Sequence, residues 1–311
     1  MKWNWLSNTE IDKQQWDKTI INATNGSLYA YSWYLDIVSP GWEALILDDY
    51  KAVAPLPVKN FFGKKIIRQP LFSQQLGVFT KELSLISNTD DLFNELIHRV
   101  SYYSLNFNKF HHFTKETLST YQIKTVQRVN YELDLIPSYE YLFKKFNENT
   151  RRNIKKAKNE KVILKINELK AETFVNFIRK NLNKKVTNLT VKDYHKIENI
   201  VNFAMKANIA SIYSVHNYSG EILSSVCFIY SHRRVYYLFA ASCKKAKEQR
   251  TMFLLLDEFI KQHSEKNLIL DFEGSMLPGL ARFYAGFGAL PTHFYTLTYN
   301  KLPFYLRWFN N

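Results

Sequence analysis

The chain has 311 residues, 46% of them apolar and 16% aromatic, which excludes a disordered polypeptide and exceeds what one hydrophobic core usually organises. Its formal charge of +14 points to an anionic partner, although abundant Asn and Ile mark a compositional bias that also raises Lys. No stretch approaches the roughly 20 apolar residues of a membrane span and Met1 to Trp16 lacks a signal-peptide pattern, so a cytoplasmic protein without stable membrane insertion is expected.

In chain order, Ala44 to Leu47 and Ala52 to Val58 are apolar runs separated by Asp48, Asp49 and Tyr50, which predicts a hairpin. Lys64 to Arg68 and Leu76 to Phe79 read as further strands. The spacing of Leu92, Phe93, Leu96, Ile97 and Val100 predicts a helix over Asp90 to Leu105, with Ser87, Asn88 and Thr89 as cap candidates. Phe110 to Phe113 and Val129 to Leu135 read as strands, and Ser138 opens a helix through Leu142 and Phe146.

Between Lys144 and Lys165 lie nine basic and two acidic side chains, the densest charge in the chain. Only Ile154 and Ala157 interrupt this run on an apolar stripe, so an exposed helical linker with one weakly packed face is expected. Beyond it, Val162 to Ile166 is β-branched, and two helices follow through Phe174, Phe177 and Ile178, then Ile197, Ile200, Val201 and Ala204. Ile209 to Val215 and Ile222 to Tyr230 form a hairpin around Asn217 to Gly220, and Val235 to Ala241 is a third strand. Gln249 to His263 should be a buried helix, Leu268 to Phe272 a central strand, Leu277 to Tyr284 a short helix and Thr292 to Tyr299 an alternating strand. The order is β-α-α-β-β-β-α-β-α-β, and a similar hairpin, strand, helix and strand in the first half suggests a degenerate internal duplication.

Four of the nine glycines, Gly274, Gly279, Gly286 and Gly288, fall within fifteen residues that follow a buried strand bearing Asp271 and Glu273. Such a place suits a site, or equally a tight turn and a helix C-cap. Carboxylates there can have their pKa raised by desolvation, and strand alternation would put both on one face. They could also cap the next helix or pair with Arg282.

The order of elements resembles the GNAT acyltransferase fold. The segment LDFEGSMLPGLARFYAGFGA, Leu270 to Ala289, resembles the closing motif of bacterial GNAT proteins related to the Fem-type peptidoglycan aminoacyl transferases. NTRRNIKKA resembles the basic stretch joining the halves of such proteins, and APLPVKNFFGKKIIRQP their first-domain hairpin and strand. The resemblance implies an α/β fold with mixed sheets and two tandem GNAT-like domains: residues 1–146 as a degenerate first copy, 147–161 as linker, and 162–311 carrying the active site.

It further implies an N-acyltransferase with Tyr284 as the acid that protonates the leaving group, since Tyr284 stands four residues before Gly288 as in single-domain relatives. Glu273 or Asp271 would be the base. Acyl-CoA would be the co-substrate, its pantetheine along Phe239, Ala240, Ala241 and Ser242 and its pyrophosphate at Gln249, Arg250 and Thr251. KKAKEQRTMF, however, contains none of the glycines of the family's phosphate loop, and no Lys stands between Phe283 and Phe287, where Fem-type relatives often carry one.

Arg152, Lys155, Tyr213 and Tyr237 are the substrate-binding candidates. Partners would be a small-molecule or carrier-bound acyl donor, an amine acceptor and, for an aminoacyl donor, tRNA. The eight histidines and two cysteines show no metal-ligand spacing, so no metal is expected. From a different class, the basic segment and many aromatics would also suit a non-catalytic anion- or nucleic-acid-binding protein on the same scaffold.

Overall fold

The computed structural model describes residues 2–82, 84–87, 90–182, 188–274 and 276–306. The chain divides into two compact units, Met1–Arg128 with His293–Asn311, and Val129–Thr292. Expected cap residues Asn88 and Thr89 lie outside the described residues.

The first unit contains β1 (Trp3–Leu6), α1 (Lys13–Asn22), α2 (Ser32–Val38), β2 (Glu43–Leu47), β3 (Ala52–Leu56), β4 (Val58–Phe61), β5 (Lys64–Arg68), β6 (Phe79–Thr80), α3 (Ser84–Ser87), α4 (Asp90–Arg99), β7 (Tyr102–Phe107) and α5 (Lys115–Thr120). Strands β1, β2, β3 and β6 form one sheet in that order, and β4, β5 and β7 belong to a second. Helix α1 is capped by Asp12, whose carboxylate accepts the Gln14 and Gln15 N–H groups, and it buries Trp16 and Ile20 one turn apart. Neither α1 nor α2 was legible from spacing, because the anchoring side chains are few: Trp16 and Ile20 in one, Tyr34, Leu35 and Val38 in the other.

Two expectations for this unit are corrected. The helix predicted to reach Leu105 stops at Arg99, and Tyr102–Phe107 is a strand paired in parallel with β5. Its alternating burial at Tyr103, Leu105 and Phe107 is a period of two that overrides the helical one. The strand predicted over Phe110 to Phe113 is a turn in which the His111 N–H donates to the Asn108 carbonyl. Its cause is the buried His111 ring, whose Nε2 accepts the Val78 N–H at 3.0 Å while Nδ1 faces Asn108.

The chain then enters β8 (Lys124–Asp134), and the second unit continues with α6 (Tyr139–Lys145), α7 (Glu148–Lys158), β9 (Val162–Ile166), α8 (Ala171–Asn181), α9 (Val191–Lys206), β10 (Ala210–Asn217), β11 (Ile222–Ser231), β12 (Arg234–Ser242), α10 (Lys244–Gln249), α11 (Thr251–His263), β13 (Ile269–Asp271) and α12 (Pro278–Gly286). Strand β14 (Leu290–Asn300) leads back to the first unit, where Tyr295 to Asn300 pair with β7. In the second unit the strands are ordered β8, β13, β12, β11, β10, β9; β12 and β13 are parallel and the remaining neighbours antiparallel. One core unites Leu255, Leu256, Phe259 and Ile260 of α11 with Tyr213, Val226, Phe228 and Leu270 of the sheet. Burial of that apolar area is the main force holding the unit together.

The basic segment expected to be a linker is α7, and it belongs to this core. Asn147 caps it by accepting the Thr150 N–H, and Thr150, Ile154 and Ala157 are buried against α11 and α12. At the end of the same helix Lys158 also reaches Asp257 on α11, at 2.8 Å.

Candidate functional site

The second unit carries a break in its sheet. Strand β12 pairs with β13 over three positions only, Arg234↔Ile269, Val235↔Leu270 and Tyr236↔Asp271, and then continues to Ser242 alongside β11. At the same level β12 has a bulge: Phe228 faces Tyr237 and Cys227 faces Phe239, which leaves Leu238 as the extra residue. A bulge bends a strand and sharpens its twist, so it turns β12 away from β13 where the pairing stops. It also reverses the alternation. Tyr237 joins the core cluster on the α11 side, and Phe239 is placed on the opposite face.

At the inner end of this parting three aromatic rings meet. The Phe272 and Tyr284 rings stack at 4.8 Å, Tyr237 lies 5.9 Å from Phe272, and 6.0 Å separates it from Tyr284. All three are buried. The Tyr237 hydroxyl donates to Met252 Sδ at 3.4 Å. Burial raises the pKa of Tyr284, and the nearby Glu273 charge raises it further, so the phenol is held protonated.

Glu273 reaches the same place by an unusual backbone. Strand β13 ends at Asp271, and Glu273 and Gly274 both take left-handed conformations, with φ of 60° and 57°. The expectation that Asp271 and Glu273 share a strand face is therefore corrected, because alternation ends with the strand. Burial pushes the Glu273 carboxyl up to about 8. Asp271 is saturated instead: Oδ1 accepts from Asn130 Nδ2 at 2.8 Å and from the Glu273 N–H at 3.0 Å, while Oδ2 pairs with Arg234 at 3.0 Å. The arginine that holds it is Arg234, not Arg282.

The remaining expected residues are dispersed. Tyr213 sits in the core with its hydroxyl donating to Gln262 Oε1 at 2.7 Å, because β10 turns that face toward α11. Arg152 and Lys155 are exposed on the outer face of α7, and Arg152 donates to Asn149. Phe239 and Ala241 are buried, whereas Ala240 and Ser242 are half-buried on the face that the bulge aligns with Tyr237.

The helix predicted from Gln249 is interrupted. Lys244–Gln249 is a separate short helix, Arg250 is left-handed at φ 62°, and α11 begins at Thr251. Thr251 is buried, with Oγ1 2.6 Å from Ser224 Oγ, which in turn lies 2.8 Å from Ser242 Oγ. Gln249 Nε2 donates to Glu160 Oε2 at 2.9 Å, which places a carboxylate beside the segment expected to cradle a pyrophosphate. Among the described residues no group of three or more His, Cys, Asp and Glu side chains could hold a metal ion, and no helix is long and apolar enough to cross a membrane.

The glycines divide by job. A Cβ on Gly286 would stand 2.5 Å from Thr150 Oγ1, so that glycine lets α12 pack on the start of α7, and its carbonyl accepts the Asn147 N–H. Gly279 has open space around it. What sequence reasoning missed is Arg234 and Asn130, which support Asp271 from β12 and β8; an Arg at the start of a strand carries no local signal of a partner 37 residues away.

No protein-family model matches the chain, and no curated protein does. Solved structures do resemble it. The crystal structure of FemX superposes with a TM-score of 0.66 at 13% identity, over 95% of this chain and 97% of that one. The fold is FemX-like. A conserved protein from Bacteroides thetaiotaomicron shares it with a TM-score of 0.58 at 9% identity, covering 93% and 97% of the two chains. L-PGS from Bacillus licheniformis matches with a TM-score of 0.51 at 12% identity, over 84% and 85%. Within this fold the sheet of the second unit parts between β12 and β13, and Tyr237, Phe272 and Tyr284 gather there.

Proposed function

We propose that the second unit is an acyltransferase that moves an acyl or aminoacyl group from a thioester or ester donor to an amine, and that the first unit is a degenerate GNAT-like copy without a reaction centre. One observation carries the reading: β12 and β13 part at a bulge, and a buried phenol and a carboxyl of raised pKa stand at the inner end. An extended donor tail would lie along β12 beyond Tyr236, with its carbonyl carbon at the level of Tyr284.

The amine attacks that carbonyl while the Glu273 carboxylate takes its proton, and the tetrahedral intermediate collapses by expelling the thiolate or alkoxide. Tyr284 supplies the proton this leaving group needs. A carboxyl pushed up to about 8 is a far stronger base than an ordinary glutamate, and a phenol held above its usual range stays loaded with its proton at neutral pH. At neutral pH the phenol is loaded as its role requires, whereas the carboxyl is largely protonated and becomes the base as pH rises toward 8, so turnover should climb over that range. Asp271 is the weaker candidate for the base, since three donors already engage its oxygens.

The donor is better matched by a polyanionic carrier such as charged tRNA than by acyl-CoA. Glu160 beside Gln249 opposes a pyrophosphate at the start of α11, whereas Arg151, Arg152, Lys155 and Lys156 are all exposed on α7. Calorimetry with acetyl-CoA, longer acyl-CoAs and charged tRNA separates the donors. Tyr284→Phe should slow turnover at least ~100-fold while leaving donor affinity intact. Salt-sensitive RNA binding without transfer from any donor would instead show a binding protein on an acyltransferase scaffold.

A further inference from the structure

The geometry assigns Asp271 a positioning role: anchored by Arg234, its carboxylate fixes the left-handed backbone at Glu273 that delivers the Glu273 carboxyl to the parting of β12 and β13. The inference rests on the reading of Glu273 as the base, and it names the device that puts Glu273 there.

Asp271 is the last residue of β13, paired with Tyr236 on one side and Glu132 on the other. Had the strand continued, residue 273 would have projected on the same face as Asp271. Instead Asp271 Oδ1 accepts the N–H of Glu273 two residues on, at 3.0 Å. An aspartate bonded to the backbone two residues ahead mimics a turn and ends the strand. The residue held by that bond has φ 60°, a region that a side chain with a Cβ adopts only when its surroundings impose it. Glu273 is a glutamate in a glycine-favouring conformation, and Asp271 accepts its N–H there.

Asp271 is itself held rigidly. Arg234 Nη1 lies 3.0 Å from Asp271 Oδ2 and 3.0 Å from Glu132 Oε1, and Asn130 Nδ2 donates to Oδ1 at 2.8 Å. These supports come from two flanking strands, β8 and β12, so the turn is tied to the sheet on both sides. Arg234 pairs with both the buried Asp271 and the half-buried Glu132, and so favours Asp271 as the anion that accepts the Glu273 N–H. Tyr284 feels the result: the Glu273 charge reaches its hydroxyl.

The test is carboxyl titration by carbon-13 NMR on the full chain, with Glu273→Gln identifying the signal. The Glu273 midpoint is expected near 8 in the wild type, near 8 in Asp271→Asn, which keeps an oxygen acceptor, and in the ordinary range of about 4.3 in Asp271→Ala. An unchanged midpoint in Asp271→Ala overturns the role, as does an ordinary midpoint in the wild type.

Should Asp271→Ala fail to fold, hydrogen exchange of the wild-type Glu273 amide decides. Protection at least ~100-fold above a free loop supports the bond to Asp271, and exchange at loop rates overturns it. Turnover separates this inference from the reaction. If Glu273→Gln transfers acyl groups normally while the midpoints behave as stated, the base assignment fails and the positioning stands. If Glu273→Gln is inactive but Asp271→Ala changes neither midpoint nor turnover, the reverse holds.

Discussion

Phe272 and Tyr284 stack 4.8 Å apart at an interplanar angle of 25°, one the residue after β13 and the other on α12. The Tyr284 ring is therefore a structural plug as well as the carrier of a hydroxyl, and the two jobs can be separated. Tyr284→Phe keeps the stack and should change stability by less than ~1 kcal/mol, whereas Tyr284→Ala opens a cavity and should cost ~3–5 kcal/mol. Urea unfolding of both variants checks this. Equal losses would mean that the hydroxyl, rather than the ring, holds α12 in place.

Glycines on one helix should answer oppositely to the same substitution. Gly286→Ala pushes a methyl to 2.5 Å from Thr150 Oγ1 and should cost ~1–3 kcal/mol, with Thr150→Ala restoring most of the loss. Gly279→Ala meets no atom within 4 Å and should stabilise by up to ~1 kcal/mol, because alanine loses less backbone entropy in a helix. Thermal melts of the three variants are sufficient to tell.

Asp257 is fully buried on α11, where Tyr139 donates to Oδ1 at 2.7 Å and Lys158 pairs with Oδ2 at 2.8 Å. These two contacts fasten α6 and α7 to α11. Tyr139→Phe should cost ~1–3 kcal/mol by removing a donor from a buried carboxylate, and Lys158→Met a comparable amount. The double variant should lose more than the sum, since each contact partly compensates for the other. Denaturant midpoints of the double-mutant cycle measure that coupling, and strict additivity would show that the two contacts act independently.

The Glu273 carboxyl gives stability a pH dependence of definite sign. Its folded value, about 8, lies above its unfolded value near 4.5, so between these pH values the folded state binds the extra proton. The contribution is fully present below about 4.5, declines as pH rises, and is gone above about 8. Wild-type stability minus that of Glu273→Gln, measured by urea unfolding across this range, should fall with pH. A flat difference would place the carboxyl in water.

Much of the second unit was readable in one dimension. The hairpin of β10 and β11, the buried run of α11 and the alternation of β14 rest on local spacing, and a period of 3.6 or 2 reports which face meets the core whatever that core contains. The element order that suggested a GNAT-like fold followed from them. Where two local signals competed, as at Tyr102 to Leu105, pairing with β5 decided for strand, and the stripe of Ile154 and Ala157 became a buried seam by packing against α11 and α12.

The arrangement of the candidate site was decided in three dimensions. Nothing local marks Leu238 as a bulge; β11 offers no partner between Cys227 and Phe228, and that single unmatched residue turns Phe239 to the opposite face and brings Ala240 onto the face of Tyr237. Sequence supplied Glu273 and Tyr284 as residues of suitable chemistry. The left-handed turn at Glu273 follows Asp271, which Arg234 and Asn130 engage from other strands, and interactions between residues so far apart in the chain leave no periodic trace within it.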